Sequence, residues 1–276
     1  MPTTTPLIKV NRTKGYGAEV ILYGNVYDEA CEYAMKLAKE KGLTFVHPFD
    51  DLDVATGVST LAKLLNPNIK VIGVEPAGAN CLQESLKAGK VVTLPTVSTI
   101  ADGTAVKTPG SKLFPYLQKN LDDIITVPDE DLIVAFLDMV ENHKMIVENS
   151  GLLTIAALKH LKCKDKKIVS ILSGGNMDVI TMSSVVQQGL VQRSRIFTVS
   201  VLLPDKPGEL VRVASIIAEA NGNVIKLEHN QFVSINRKAT VELRITIEAF
   251  GHEHKDEIVD KLEAAGLRPR IVKVNI

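Results

Sequence analysis

Strand-like and helix-like segments alternate along the first two thirds of this 276-residue chain. Short apolar runs predict strands at residues 18–23, 43–46, 70–74, 123–127 and 167–172. Segments with helical spacing lie between them, at residues 28–41, 57–65, 129–144 and 150–161. Parallel strands need crossover connections, usually helices, so this order predicts an α/β domain over residues 1–190: a mainly parallel sheet with flanking helices.

The pattern changes at a polar, basic stretch around residues 187–195, which predicts a linker. Beyond it, strands are predicted at 197–203, 223–233, 240–248 and 268–274, and helices at 207–220 and 253–265. This is a βαββαβ order, the ferredoxin-like arrangement. We therefore expect a second domain over residues 191–276.

Charge and composition exclude several classes of partner. Lys plus Arg equals Asp plus Glu at 32 each, so no net field attracts nucleic acid or a membrane surface. No apolar run approaches the roughly 20 residues that span a bilayer, and the start lacks the pattern of a signal peptide. Three scattered cysteines, Cys31, Cys81 and Cys163, fit a reducing compartment. We expect a cytoplasmic protein that binds neither nucleic acid nor membrane.

The loop Asp-Lys-Pro-Gly-Glu-Leu at 205–210, within the βαββαβ order, resembles the ACT domain family over residues 197–276. The resemblance implies a small amino acid as effector and a homo-oligomer formed by side-by-side pairing. It makes Gly208, Glu209, Leu210 and the turn at Asn223 the candidate effector-binding residues. The alternative is a ferredoxin-like domain that serves only dimerisation.

Several motifs of the first domain resemble the serine/threonine dehydratases, which are fold-type II pyridoxal-phosphate enzymes. In chain order, they are TPLIKV leading to YGAEV (5–20), HPFDD (47–51), VIGVEP (71–76), TIADG (99–103), VENSG (147–151) and LSGGN (172–176). The resemblance implies pyridoxal phosphate as cofactor. It also implies conversion of L-threonine or L-serine to a 2-oxo acid and ammonia.

The last two motifs supply the candidate cofactor-binding residues. The resemblance implies that Ser173 hydrogen-bonds the pyridine nitrogen, that Gly174, Gly175 and Asn176 shape the pocket, and that Glu148 lines it. A strand ending in Ser-Gly-Gly-Asn places a hydroxyl at the carboxyl edge of a sheet, where α/β proteins bind ligands. The alternatives are a tight turn after a strand for Ser173 and a carboxylate at a helix start for Glu148.

Three further positions match a segment that holds a divalent cation in some relatives: Glu75, Ala79 and Cys81. Relatives have a carboxylate where this chain has Cys81. A thiol is a poor ligand for magnesium or calcium, so we expect no metal site here. The His-x-His pair, His252 and His254, lacks a third ligand nearby in sequence and predicts a solvated turn.

The chain also departs from the family. Relatives carry a Ser-Phe-Lys-x-Arg segment whose lysine forms a Schiff base with the cofactor, and no such motif occurs here, so we expect the catalytic lysine to be missing. Relatives continue after the segment that begins here at His47 through a helix and a strand to a tetraglycine loop that cradles the phosphate. This chain passes instead to Ala55-Thr56-Gly57-Val58.

Loss of a central strand leaves two sheet edges unpaired, so we expect a loosely packed first domain or one that borrows a strand. We expect covalent cofactor binding to fail and the chain alone to have little or no dehydratase activity. The alternative function is a non-catalytic amino-acid-sensing or regulatory subunit that acts through the ACT domain.

Overall fold

A computed structural model describes residues 1–5, 7–45, 54–230 and 241–274. The HPFDD motif at residues 47–51 lies outside the described residues. The chain divides into two compact units, Met1–Met182 and Ser183–Ile276. The predicted domain boundary at residue 190 stays a prediction.

The first unit combines helices with a two-stranded parallel sheet among its described residues. Ile72 lies opposite Asp123 and Pro76 opposite Val127 in that sheet. In chain order the elements are α1 (Leu7–Gly15), α2 (Tyr27–Lys41), α3 (Val54–Leu65), β1 (Ile72–Pro76), α4 (Cys81–Ala88), α5 (Phe114–Asn120), β2 (Asp123–Val127), α6 (Asp129–Asp138) and α7 (Leu153–Ala156). A further helix, α8 (Val179–Gln192), begins in the first unit and ends in the second.

The helices predicted from the sequence agree well with the helices of the structure. Gly42 ends α2 in the left-handed conformation, with φ at 65°, and its N–H bonds to Ala38 O. This confirms the predicted helix end, since glycine adopts positive φ without steric cost. The helix predicted at 129–144 is α6 followed by one π turn, Met139–His143. The helix predicted at 150–161 is α7 flanked by the 3₁₀ turns Asn149–Leu152 and Ala157–His160.

Two predicted strands are wrong. Residues 18–23 and 167–172 form no strand, although both are apolar. Val169 is 89% exposed, so the second run lies open to solvent. A strand forms only against a hydrogen-bonded neighbour, and β1 and β2 pair only with each other among the described residues. The described part of 43–46, residues 43–45, is likewise not a strand.

The core of the first unit lies around α6. Leu132 and Phe136, four residues apart on one helix face, are fully buried, as are Val127 at the end of β2 and Leu152 before α7. This packing fixes the carboxyl end of β2 and the segment before α7 in one place. The segment before α7 directly follows Glu148 in sequence.

The second unit has the predicted βαββαβ order. Its elements are β3 (Ile196–Leu203), α9 (Glu209–Glu219), β4 (Asn223–Asn230), β5 (Val241–Glu248), α10 (His252–Ala264) and β6 (Arg270–Val272). The sheet order is β4-β5-β3-β6, and each neighbouring pair is antiparallel. The fold class predicted for this part is confirmed.

Alternation of side chains builds one continuous core in this unit. Alternate residues of β3 and β5 face α9 and α10, which contribute residues at helical spacing. The buried set includes Phe197, Val199, Val201, Leu203, Val213, Ile217, Leu243, Ile245, Ile247, Ile258 and Leu262. Among the described residues, no helix combines the length and apolar character that crossing a membrane requires.

Candidate cofactor and effector sites

The two motifs predicted to meet at the cofactor lie against each other. The Glu148 N–H donates to Gly174 O at 3.2 Å. Gly174 has φ at +81°, and a Cβ atom there would lie 1.9 Å from Glu148 Oε1. A Cβ on Gly151 would lie 1.8 Å from Ser173 O. Glycine is therefore required on both sides of this contact.

The structure places the four residues of the Ser-Gly-Gly-Asn motif at the surface. Ser173, Gly174, Gly175 and Asn176 are all exposed, whereas Glu148 is half-buried. The segment before Ser173 is not a strand, so the hydroxyl does not stand at the edge of a sheet as predicted. The arrangement offers one open hydroxyl beside a carboxylate.

Asn149 belongs to the VENSG motif, and the motif alone predicts no role for it. It is 4% exposed, and its Nδ2 donates to Ile100 O at 2.9 Å. Its Oδ1 and the Ser150 Oγ are buried and have no hydrogen-bond partner in the described chain. Ser150 Oγ also lies 2.8 Å from the position of a Cβ on Gly103. Asn149 thus ties the VENSG turn to the TIADG turn, which the predicted motifs alone did not reveal.

Asp129, the first residue of α6, also binds the TIADG turn. Its Oδ1 accepts from Thr99 Oγ1 at 2.6 Å and its Oδ2 from the Ile100 N–H at 2.9 Å. Lys9 Nζ lies 2.8 Å from Asp102 Oδ2. Lys9 is thus ion-paired with the carboxylate of the TIADG turn.

Glu75 and Cys81 form a local cap. The Glu75 carboxylate accepts from the N–H groups of Leu82 and Gln83, each at 2.9 Å, at the start of α4. Burial raises the pKa of Glu75. Burial, then the nearby Glu75 carboxylate, raises the pKa of the Cys81 thiol to about 12. The thiol is therefore protonated at neutral pH, a form in which it does not bind metals.

Ala79 lies between Glu75 and Cys81 in sequence and is 1% exposed. Within residues 1–5, 7–45, 54–230 and 241–274, no three His, Cys, Asp or Glu side chains are grouped so that they could hold a metal ion. Both Glu75 oxygens are committed to the helix start instead.

The predicted effector residues fall at two ends of the second unit. Gly208, with φ at 94°, precedes α9, and Glu209 and Leu210 begin that helix. Asn223 starts β4 opposite Glu248, to which its Nδ2 donates at 3.1 Å. The β3–α9 loop adjoins the other end of the sheet, where Leu203 pairs with Val241. A strand of this length separates the two parts by about 20 Å in one chain.

A small groove lies at the loop end of the sheet. It has a volume of about 40 Å³, and its lining includes Leu203, Lys206, Glu209, Leu210, His229 and Leu243. Sequence reasoning missed His229, because its position depends on how β4 pairs with β5, where it lies opposite Leu243.

The solvated turn predicted for the His-x-His pair is wrong. Both histidines belong to the first turn of α10. His252 Nδ1 lies 2.9 Å from Ser194 Oγ. His254 Nδ1 accepts from the Phe250 N–H at 3.0 Å, and its Nε2 lies 2.6 Å from Ala220 O. An imidazole with one donor and one acceptor satisfies two backbone groups that the turns leave unpaired.

Comparison with known proteins identifies the fold and the family. The profile of the pyridoxal-phosphate dependent enzymes matches residues 1–63 and 53–174, and that of the ACT domain matches residues 197–267. The chain belongs to the pyridoxal-phosphate-dependent enzyme family. This confirms the resemblance read from the motifs, and the ACT domain with it.

Similar proteins come from distant organisms. The L-threonine ammonia-lyase of Geobacter sulfurreducens is 36% identical and that of Thermotoga maritima 32%; each alignment covers 99% of this chain and 76% of the relative. Processed threonine deaminase isoform 2 from Solanum lycopersicum superposes with a TM-score of 0.61 and 34% identity, over 68% of this chain and 64% of that one. Maize serine racemase gives a TM-score of 0.59 and 27% identity, over 70% of each chain.

These alignments also locate an internal difference. The alignment with the Geobacter relative extends over 305 positions, although this chain has 276 residues. The relative therefore has residues that this chain lacks within the aligned region. The profile matches in two separate pieces that overlap at residues 53–63, just after the HPFDD motif where the sequence departs from the family.

The described residues fit only part of the family's cofactor. Ser173 offers a neutral hydroxyl suited to a pyridine nitrogen, and Glu148 lies beside it. Exposure of Ser173 through Asn176 leaves no enclosed pocket for the ring, and the Lys9 amine is held in an ion pair. These residues do not fit a covalently held, phosphate-anchored pyridoxal phosphate.

Proposed function

We propose that this chain is a member of the threonine ammonia-lyase group, whose reaction on L-threonine or L-serine yields a 2-oxo acid and ammonia. The names of the two bacterial relatives and the C-terminal ACT domain support this assignment. Pyridoxal phosphate supplies the electron sink for such chemistry when bound. In this chain Ser173 would face the ring nitrogen, and Glu148 would stay in place through its contact with Gly174.

We also propose that these 276 residues by themselves have little or no dehydratase activity. The observation that carries this proposal is the division of the family match into two pieces, which overlap at residues 53–63, together with the exposure of Ser173. An open site leaves water around the reacting groups, and electrostatic stabilisation is weaker there than in an enclosed site.

The structure of the second unit supports a regulatory role for the ACT domain. Its sheet is complete and its core continuous, which favours an ACT domain that binds an amino acid and joins copies of the chain into a homo-oligomer. A non-catalytic, amino-acid-sensing subunit is therefore the second candidate function. The cytoplasmic location predicted from the sequence stays a prediction.

Two measurements on the purified full chain test these proposals. Pyridoxal phosphate is added, followed by borohydride, and mass spectrometry then locates any lysine that carries the cofactor. Separately, L-threonine is supplied and 2-oxobutanoate is quantified. We expect no stoichiometric lysine modification and no product above the level without protein. Formation of 2-oxobutanoate without a helper protein would overturn the low-activity proposal.

Calorimetry with free amino acids separates the two candidate functions. Binding of an amino acid without turnover supports the sensing subunit. Turnover that depends on Ser173, and that falls in a Ser173→Ala variant, supports the enzyme.

A further inference from the structure

The groove at the β3–α9 loop has an apolar floor and charged walls on one side. Leu203, Val241 and Leu243 are at most 4% exposed and belong to the core of the second unit. The loop side carries Asp205, Lys206 and Glu209, one cation and two anions. This pairing of charges matches the carboxylate and ammonium groups of a free amino acid, and the floor matches its side chain.

His229 forms the opposite wall of this groove. It lies directly across from Leu243 in the β4–β5 ladder, so both side chains stand on the same face of the sheet. Its imidazole is exposed and makes no hydrogen bond or ion pair with the described residues. The strand places the imidazole in the lining of the groove.

The room beside His229 is small. The groove measures about 40 Å³, far below the roughly 300 Å³ at which ordinary small-molecule pockets begin. A small side chain fits on the floor beside the imidazole, and a larger one fits only where the imidazole is displaced or absent.

From this geometry we propose that His229 is the residue that sets the effector specificity of the ACT domain, by limiting the size of the amino-acid side chain that the groove accepts. The inference rests on the proposed effector function of this domain. The ligand class is a free amino acid with a small side chain.

Binding of alanine, valine, isoleucine and phenylalanine to the full chain, measured by calorimetry, tests the proposal. For the wild type we expect Kd to rise in that order. In His229→Ala, Kd for isoleucine and phenylalanine falls about tenfold, the effect of one or two methylenes in an apolar pocket, while Kd for alanine stays within about threefold. In His229→Trp, valine and larger side chains no longer bind.

Glu228→Ala is the matched control. Glu228 is the adjacent residue on β4, lies opposite Arg244 and pairs with Lys226, so it points away from the groove. We expect this variant to keep the wild-type order of Kd. Circular dichroism of all variants reports the fold, and His229→Gln replaces any variant that does not fold.

The outcomes distinguish the two levels of the proposal. An unchanged ratio of Kd values in His229→Ala overturns the role of His229 and leaves the effector function standing. Absence of amino-acid binding in both the wild type and His229→Ala overturns both.

Discussion

Glu75 is the residue whose chemistry differs most between the sequence motif and the structure. It occupies a cation-type motif, yet its carboxylate accepts two backbone N–H groups at the start of α4. The free N–H groups at the helix start favour the carboxylate, but burial outweighs them and raises the pKa of Glu75. The same motif therefore has a capping role that needs no metal.

Replacement of Glu75 by glutamine tests the capping role. The amide has one acceptor oxygen, so one N–H loses its partner, and we expect the free energy of unfolding to fall by about 1–2 kcal/mol. Because the pKa of Glu75 is raised in the folded chain, its stabilisation is fully present below the ordinary value and is lost as pH rises through the raised one. Urea unfolding at pH 4.5 and pH 8 should therefore show the larger difference from wild type at pH 4.5. A larger difference at pH 8 would contradict this.

Cys81 gives a second prediction for a single residue. Its thiol is 2% exposed and its pKa is raised to about 12, whereas Cys163 is exposed. The thiolate is the nucleophile, so a thiol-specific chromogenic reagent at pH 8 should label Cys163 first and Cys81 only after denaturation. A Cys163→Ser variant removes the fast phase. Fast labelling of Cys81 in that variant would show that the start of α4 is open.

At the scale of elements, the His254 bridge joins two turns of the second unit. Its ring connects the β5–α10 turn at Phe250 to the α9–β4 turn at Ala220. His254→Ala leaves both backbone groups without this partner, and we expect a loss of about 1–3 kcal/mol in thermal or urea unfolding. His254→Asn, which keeps a donor and an acceptor, serves as the conservative variant. Equal stability of His254→Ala and wild type would rule out a structural role.

The ACT elements were predictable because every strand has its partner strand within the same unit. Val199 in β3 and Ile245 in β5 alternate with polar residues, and each strand finds its neighbour within the same unit. The run at 167–172 has an equally strong strand pattern, but it pairs with no strand among the described residues. The pattern shows strand tendency and carries no information about whether a partner strand exists, so Val169 stays exposed.

Some residues of the candidate sites could be predicted from sequence motifs, and others could not. The contact between Glu148 and Gly174 joins two motifs quoted from the sequence, since both belonged to one expected site. The roles of Asn149 and His229 depended on tertiary packing and strand register, which no local spacing records. For Asn149, the one sequence signal was its position next to Glu148, which was already a candidate. For His229, the sequence contained no signal.

For the whole molecule, the two units differ in how completely they bury apolar surface. The second has a four-stranded sheet covered by two helices and one continuous core. The first has two paired strands among its described residues and exposes large apolar side chains, among them Leu64, Leu65, Val169 and Ile180, each at least 76% exposed. Because burial of apolar surface is the main stabilising contribution, the first unit should be the less stable of the two.

Calorimetric unfolding of the full chain should therefore show two transitions, since two separate cores do not melt as one cooperative unit. Phe136→Ala should lower the first transition and Leu243→Ala the second, each by the equivalent of about 2–5 kcal/mol for a large buried side chain. Both residues are fully buried, one in each unit, so each variant is the control for the other. Hydrogen exchange should agree, with fast exchange of the amides of 167–172 and slow exchange of those of β3 and β5, which lie in the paired sheet. A single transition that both variants shift equally would mean that the two cores are coupled and that the exposed apolar surface of the first unit is covered when the chain folds in solution.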